Sequence, residues 1–282
     1  FIIGFAGTKA AFMRDLIFTP SYGFTTPTEL EELNRRRKSI SLGEEYLKSY
    51  KDYYNWIRKR VTNKSKGGFF KFYGYDEFAL ALFNSKEPLT TYEEETARRL
   101  RNGENTSLEA VFDEHIAAGD IRINDSLLNM FKDSLMICDE IHNTYNMNMR
   151  NNRGVAIQYV LDSMPTVRFL SLSATAINNS PTEVVEVVNY LVPPDKRLSK
   201  RDLFINNRTL QAGALERLAE ATRGKVTFIQ DSDVRDYPRH EIVGKSLTVA
   251  HTVDNALMSG SPVPYLAFVE CPMSELHQAT YM

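Results

Sequence analysis

The 282-residue chain reads as an α/β fold, a mostly parallel sheet with flanking helices, and three stretches carry that reading. One is Leu135-Met-Ile-Cys138, an apolar run that stops at two adjacent carboxylates, Asp139 and Glu140. A second is Val167-Arg-Phe-Leu-Ser-Leu172, which ends in Ser173, Ala174 and Thr175. The third is the opening, Phe1-Ile-Ile-Gly4. Short apolar runs ending abruptly in polar residues describe buried strands that deliver chemical groups to the carboxyl edge of an open sheet, where ligands of such folds bind.

Composition frames the rest. A 43% hydrophobic content is ample for a core, and the length suggests about two domains. No apolar run approaches the roughly 18 residues of a membrane helix, and the N-terminus lacks the pattern of a secretory signal. Cys138 and Cys271 are too few and too far apart for a disulfide framework, which points to a reducing compartment. Cys138 itself reads as a small core residue.

In chain order, Phe1 to Phe24 begins with a strand. The following Gly4-Phe-Ala-Gly7-Thr8-Lys9 differs from a phosphate loop, which needs Gly-Lys followed by Ser or Thr; Gly244-Lys245-Ser246 lacks the upstream glycine. Thr25 to Gly67 is basic. Between Arg35 and Lys71 twelve Lys or Arg oppose three acids, a balance of +9 that leaves −11 for the rest of a chain whose total is −2. Such a split points to an anionic partner. Tyr46, Tyr50, Tyr53 and Ile57 recur at helical spacing, so Glu44 to Arg60 forms an amphipathic helix. Its aromatics pack inward with merely solvated charges, or Arg58, Lys59 and Arg60 form a nucleic-acid surface.

Gly67 to Phe78 alternates like a strand and runs into a helix. Tyr73 and Tyr75 there are candidates to stack on bases, or are core. From Pro88 to Asp125 the chain is polar and helix-rich, with solvated charge pairs over Glu93 to Leu100, a helix over Ser107 to Ala118 and a structural His115. A further helix is expected from Leu215 to Ala221. A turn and strand follow over Arg223 to Ile229, then alternation from Glu241 to Val249.

The carboxylate pair carries the chemistry. One acid at a strand end holds Mg²⁺ while its neighbour orients or deprotonates a water, the division of labour that phosphoryl transfer needs. Asp139 is the metal residue and Glu140 the water residue. His142 lies within reach of whatever packs over them, and with no second His or Cys at ligand spacing it is a coupling residue before a metal ligand.

The Asp139-Glu-Ile-His142 and Ser173-Ala-Thr175 pair resembles the DExH box and Ser-Ala-Thr motif of superfamily 2 helicases and translocases. Ala176 to Asn179, then Pro181 to Pro193, resembles the Snf2-like continuation. The opening and Ser134 to Asn146 narrow the likeness to helicase-like ATPases of large cytoplasmic DNA viruses, the group of the poxvirus-type early transcription factor small subunit and nucleoside triphosphatase I. The resemblance implies a RecA-like P-loop NTPase lobe over residues 1–250 that lacks its first strand and P-loop. It further implies a basic helical insertion at about 26–66, a helix from Pro181 to Leu191, and residues 251–282 leading into a second lobe, with a strand and helix from Tyr265 to Tyr281.

ATP and Mg²⁺ are the implied cofactors. The implied roles are metal binding by Asp139, catalysis by Asp139, Glu140 and His142, and coupling by Ser173, Ala174 and Thr175. Nucleic acid, DNA rather than RNA, is to be met by Lys9, Arg58, Lys59, Arg60, Tyr73 and Tyr75. Viral RNA polymerase or a second transcription-factor subunit is the implied protein partner, no membrane is involved, and the setting is the viral factory of the host cytoplasm and the virion. The complete protein is expected to hydrolyse ATP in viral transcription. A piece without the phosphate loop is expected to do so poorly, because phosphoryl transfer depends on positioning and charge neutralisation. The competing reading is a non-catalytic helicase-like module that holds polymerase or DNA; retention of both Asp139 and Glu140 argues against it.

Overall fold

The computed structural model describes residues 1–63, 69–146, 149–175, 177, 179–206 and 208–227, together with two short strands at Ser246–Leu247 and Phe268–Val269. The chain divides into two compact units, Phe1–Val226 and Thr227–Met282. In the second unit the two strands pair antiparallel. The remainder of the alternation expected over Glu241 to Val249, and of the strand and helix expected over Tyr265 to Tyr281, lies outside the described residues, as does most of the strand expected to reach Ile229.

The first unit opens with β1 (Ile2–Ile3), α1 (Ala6–Phe18), α2 (Pro27–Lys38), α3 (Glu44–Thr62), β2 (Phe72–Tyr73) and α4 (Tyr75–Leu82). It continues through β3 (Phe83–Ser85), α5 (Leu89–Arg101), α6 (Leu108–Ala118), β4 (Ile121–Ile123), α7 (Asp125–Asn129) and β5 (Leu135–Asp139). After β5 come β6 (Tyr145–Asn146), β7 (Met149–Arg150), α8 (Asn152–Ser163), β8 (Arg168–Leu172), α9 (Glu183–Asn189), α10 (Lys200–Leu203) and α11 (Ala214–Thr222).

The central sheet has the order β2-β1-β5-β8 and is parallel throughout, as the three apolar runs predict. Side chains alternate across it. Ile3, Tyr73, Met136, Cys138 and Phe169 share one face and join the main core, where α4 and α8 supply Phe78, Ala79, Ala156, Ile157 and Val160. The opposite face is divided. Phe72 is covered by α1 and α3, whereas Leu135, Leu170 and Leu172 remain 46%, 45% and 38% exposed.

The basic segment is built into the unit rather than appended to it. Thr26 and Glu29 form a capping box and Pro27 occupies the first turn, which starts α2 where the sequence turns helical. On α3, Ile57 and Val61 are fully buried with Met13, Ile17 and Leu33, and Tyr50, Tyr53 and Tyr54 pack around them. Tyr46 and Trp56 stay exposed. Ser107 caps α6, Gly119 ends it in the left-handed conformation (φ 78°), and His115 bridges Glu95 and Asp120, a structural role. Among the described residues no helix is long and apolar enough to cross a membrane.

Candidate active site

The carboxyl ends of β1, β5 and β8 bring together residues that are more than a hundred positions apart in sequence. β5 delivers Asp139 half-buried at its last position, and the chain then breaks from the strand because Glu140 adopts a left-handed backbone (φ 57°, ψ 50°). For a residue with a β-carbon this costs about 1–2 kcal/mol, and such strain is retained where surrounding contacts over-determine it. The reversal starts a 3₁₀ turn, Ile141–Thr144, and brings His142 back over the site.

Asp139 is held from two sides. Thr8, in the first turn of α1, donates its hydroxyl to Asp139 Oδ2 at 2.7 Å, and the buried Tyr75 donates to the Asp139 carbonyl at 2.6 Å. Gly4 leaves room beside the first contact: a β-carbon there would lie a tight 3.1 Å from Thr8 Cγ2 and an ordinary 3.6 Å from Asp139 Cβ. Cys138, fully buried, is inert in this arrangement: burial pushes its thiol up and out of the thiolate range.

His142 is the junction. Its Nδ1 lies 2.8 Å from Ser173 Oγ, 3.3 Å from Glu140 Oε2 and 3.4 Å from Thr175 Oγ1. The Asn143 amide donates to the Glu140 carbonyl at 3.0 Å and lies 3.0 Å from His142 Nε2. Donation to Nε2 assigns the ring proton to Nδ1, which faces Ser173 and Glu140. Glu140 Oε2 is buried without a hydrogen bond, an acceptor poised beside a donor ring. His142 and Asn143 also wall a polar cleft of about 330 Å³ that takes in Asp76, Glu93, Asn151 and Arg153.

A buried ion network fixes the turn from behind. Thr144 shares a hydrogen bond with Tyr190 (2.9 Å), Arg150 sits over the Tyr190 ring at 4.7 Å, and the same guanidinium meets Glu109 at 2.9 Å and Glu186 at 3.6 Å. Burial pushes the Tyr190 hydroxyl up to about 12, so it stays a neutral donor or acceptor. Burial also raises Glu186, against the opposing pull of Arg150.

The donor set fits a hydrated magnesium ion that also takes phosphate oxygens. Mg²⁺ is commonly held by one or two carboxylates with the balance from water and substrate. Asp139, bonded by the Thr8 hydroxyl and followed in the chain by Glu140, offers one such carboxylate. Among the described residues no group of three His, Cys, Asp or Glu converges as a protein-only cage.

The other sequence-expected residues are dispersed. Lys9 is paired with Glu77 at 3.0 Å near the same edge. Tyr73 is half-buried against Phe1 and Phe78, and Tyr75 belongs to the core. Arg58 and Lys59 are exposed on α3, while Arg60 turns inward to Glu29 (2.6 Å), the Phe24 carbonyl and the Trp56 ring. Sequence reasoning missed Thr8, Tyr75 as a partner of Asp139, and Asn143. A hydroxyl four residues after the strand-ending Gly4 was the one available signal for Thr8.

No family model matches the chain, and no solved structure matches it. Curated relatives do. The early transcription factor large subunit homolog of African swine fever virus, Kenyan pig isolate, is 32% identical over 99% of this chain and 26% of its own length. The homolog from the Malawi tick isolate is 32% identical over 99% of this chain and 27% of its own. The chain is homologous to these viral transcription-factor proteins. It spans about a quarter of their length (26%). A shorter match, 26% identical over 40% of this chain and 10% of the relative, is to a mimivirus protein whose name provisionally assigns it as an ATP-dependent RNA helicase. The homology is thus to viral proteins, one of them named for a helicase, and the relatives matched over 99% of this chain carry the large-subunit name where the motifs resembled the small-subunit group.

Proposed function

We propose that this chain is the nucleotide-hydrolysing lobe of a superfamily 2, Snf2-like and DExH-box motor that works on nucleic acid in viral transcription. The observation that supports it most is the joint placement of Asp139, Glu140, His142 and Ser173 at the carboxyl edge of a parallel sheet. A binding module needs no strained acid beside a second acid at that edge.

On this reading Asp139, oriented by Thr8 and Tyr75, is the residue for Mg²⁺, which when bound neutralises charge on the ATP phosphates. Glu140 accepts the proton of an attacking water, and its carboxylate lies 3.3 Å from His142 Nδ1. His142 senses that carboxylate and passes its position to Ser173 and Thr175, so hydrolysis alters the hydroxyl-bearing loop after β8. The phosphate cradle would have to come from other parts of the polypeptide, since Gly4 to Lys9 departs from the required pattern. Partners on this reading are nucleic acid and the viral transcription machinery, RNA polymerase or a second factor subunit, in the host cytoplasm.

The deciding experiment is nucleic-acid-stimulated ATP hydrolysis by the full-length protein, wild type against Glu140→Gln. A loss on the order of a hundredfold or more with ATP binding preserved is expected for a group that handles the water. Equal activity of the two would hand the fold to the non-catalytic reading, a module that holds polymerase or DNA.

A further inference from the structure

Seven of the nine cations on α2 and α3 fall into two sets that do different work; Arg37 and Lys38, exposed at the end of α2, belong to neither. The inner set is spent on the protein's own carboxylates and rings, Arg35 at the surface and Arg36 and Arg60 half-buried. Glu32 holds Arg35 at 2.7 Å and Arg36 at 2.6 Å, Glu29 holds Arg60 at 2.6 Å, and the guanidiniums of Arg36 and Arg60 lie 4.5 and 4.1 Å from the Tyr53 and Trp56 ring centroids. Tyr53 and Trp56 stack on each other at 5.5 Å, which completes a ladder Arg36, Tyr53, Trp56, Arg60 along α3. The outer set is Lys48, Lys51, Arg58 and Lys59, all exposed and, among the described residues, without an ion pair.

These four recur at steps of three, seven and eight residues and so lie on the outward side of a 19-residue helix, with neutral Asn55 and Thr62 between and beyond them. At 1.5 Å per residue the row from Lys48 to Lys59 spans about 16 Å. Asp52 flanks it as the one acid beyond the first turn of the helix, where Glu44 and Glu45 sit. A stiff row of mobile cations, with its backing guanidiniums already neutralised, matches a regular array of anions.

We infer that this row holds the phosphate backbone of duplex DNA. This rests on the nucleic-acid reading above and changes its residues: Lys48 and Lys51 join Arg58 and Lys59, and Arg60 becomes a structural brace. The stacking decides between duplex and single strand. Single-strand sites offer free aromatic faces to bases, but the Trp56 ring already carries Arg60 and stacks on Tyr53, and Tyr46 lies on the opposite flank of the helix. What remains for the ligand is charge, which positions a backbone and reads no sequence.

The test is binding of the full-length protein to a labelled duplex of arbitrary sequence, without nucleotide, over a salt series. Each of Lys48→Gln, Lys51→Gln and Lys59→Gln is expected to flatten the log-affinity against log-salt slope by about 0.9, the increment for one duplex phosphate contact. Arg60→Gln is expected to lower Tm and leave the slope intact. A K48Q/K51Q/K59Q triple variant, helical by circular dichroism, that keeps wild-type slope and affinity would overturn the inference. So would tighter binding of single strands of the same length. Because no ATP is present, a negative result here leaves the Glu140→Gln hydrolysis test standing, and an inactive site there leaves this one standing.

Discussion

Thr8 and Asp139 are joined by a 2.7 Å hydrogen bond although 131 positions separate them in sequence. The contact ties the first turn of α1 to the last residue of β5, and Gly4 leaves space beside it. Groups that orient a metal-holding carboxylate commonly contribute ten- to a hundredfold to metal affinity or activity. On the proposed motor reading, Thr8→Val in the full-length protein is therefore expected to raise the Mg²⁺ concentration needed for half-maximal hydrolysis by about tenfold, while Thr8→Ser keeps it near wild type. A magnesium titration of the steady-state rate measures this directly.

Gly154 is the tightest point behind the site. A β-carbon there would fall 2.2 Å from the Thr144 carbonyl oxygen and 2.7 Å from the Tyr190 hydroxyl. Neither can yield cheaply, since one is backbone and the other lies under Arg150 in a buried network. Gly154→Ala should cost about 3 kcal/mol, the upper range for overpacking, read as a drop in Tm. Tyr190→Phe should cost less, about 1 kcal/mol for the lost hydrogen bond.

Acid should loosen the α2–α3 pair before the rest of the unit. The hydrogen bond from Arg60 holds the Glu29 carboxyl down to about 2, below its ordinary 4.5. Because the folded value is the lower one, this stabilisation is complete above the ordinary carboxylate range and is lost as pH falls from about 4.5 toward 2. The pair is partly solvated, so Glu29→Gln is expected to cost about 1 kcal/mol at neutral pH. It should also flatten the loss of aromatic near-ultraviolet dichroism on acidification.

His115 gives the opposite sign. Burial disfavours its charge, yet hydrogen bonds to Glu95 and Asp120 outweigh that and leave its pKa above the ordinary 6.5. Its contribution is present below 6.5 and fades as pH rises through the folded value. His115→Gln should flatten the decline in Tm as pH rises past 6.5, and the imidazole resonances should titrate above 6.5.

Strand positions and the carboxylate pair were legible in the sequence because each depends on a local pattern. Leu135 to Asp139 and Arg168 to Leu172 announce themselves as apolar runs with polar ends, and α3 as an aromatic stripe at helical spacing. What was not legible depends on pairings made only by folding. Thr8 has no local reason to meet Asp139, nor Tyr75 to donate to its carbonyl. Arg60 reads as one more cation beside Arg58 and Lys59 until the capping-box acid of α2, 31 positions away, is seen to claim it. The left-handed backbone of Glu140 is likewise silent in a sequence that offers no glycine there.

The three exposed leucines of the sheet have a practical consequence. A parallel sheet is ordinarily sheathed on both faces, and Leu135, Leu170 and Leu172 leave an oily strip across β5 and β8, the last strand of the sheet among the described residues. Expressed alone, residues 1–226 should behave as a sticky intermediate rather than a well-mannered domain. Sedimentation would shift with protein concentration, a hydrophobic dye would bind it in native buffer, and Leu170→Lys with Leu172→Thr would cure both, making that double variant the sensible starting material for solution work.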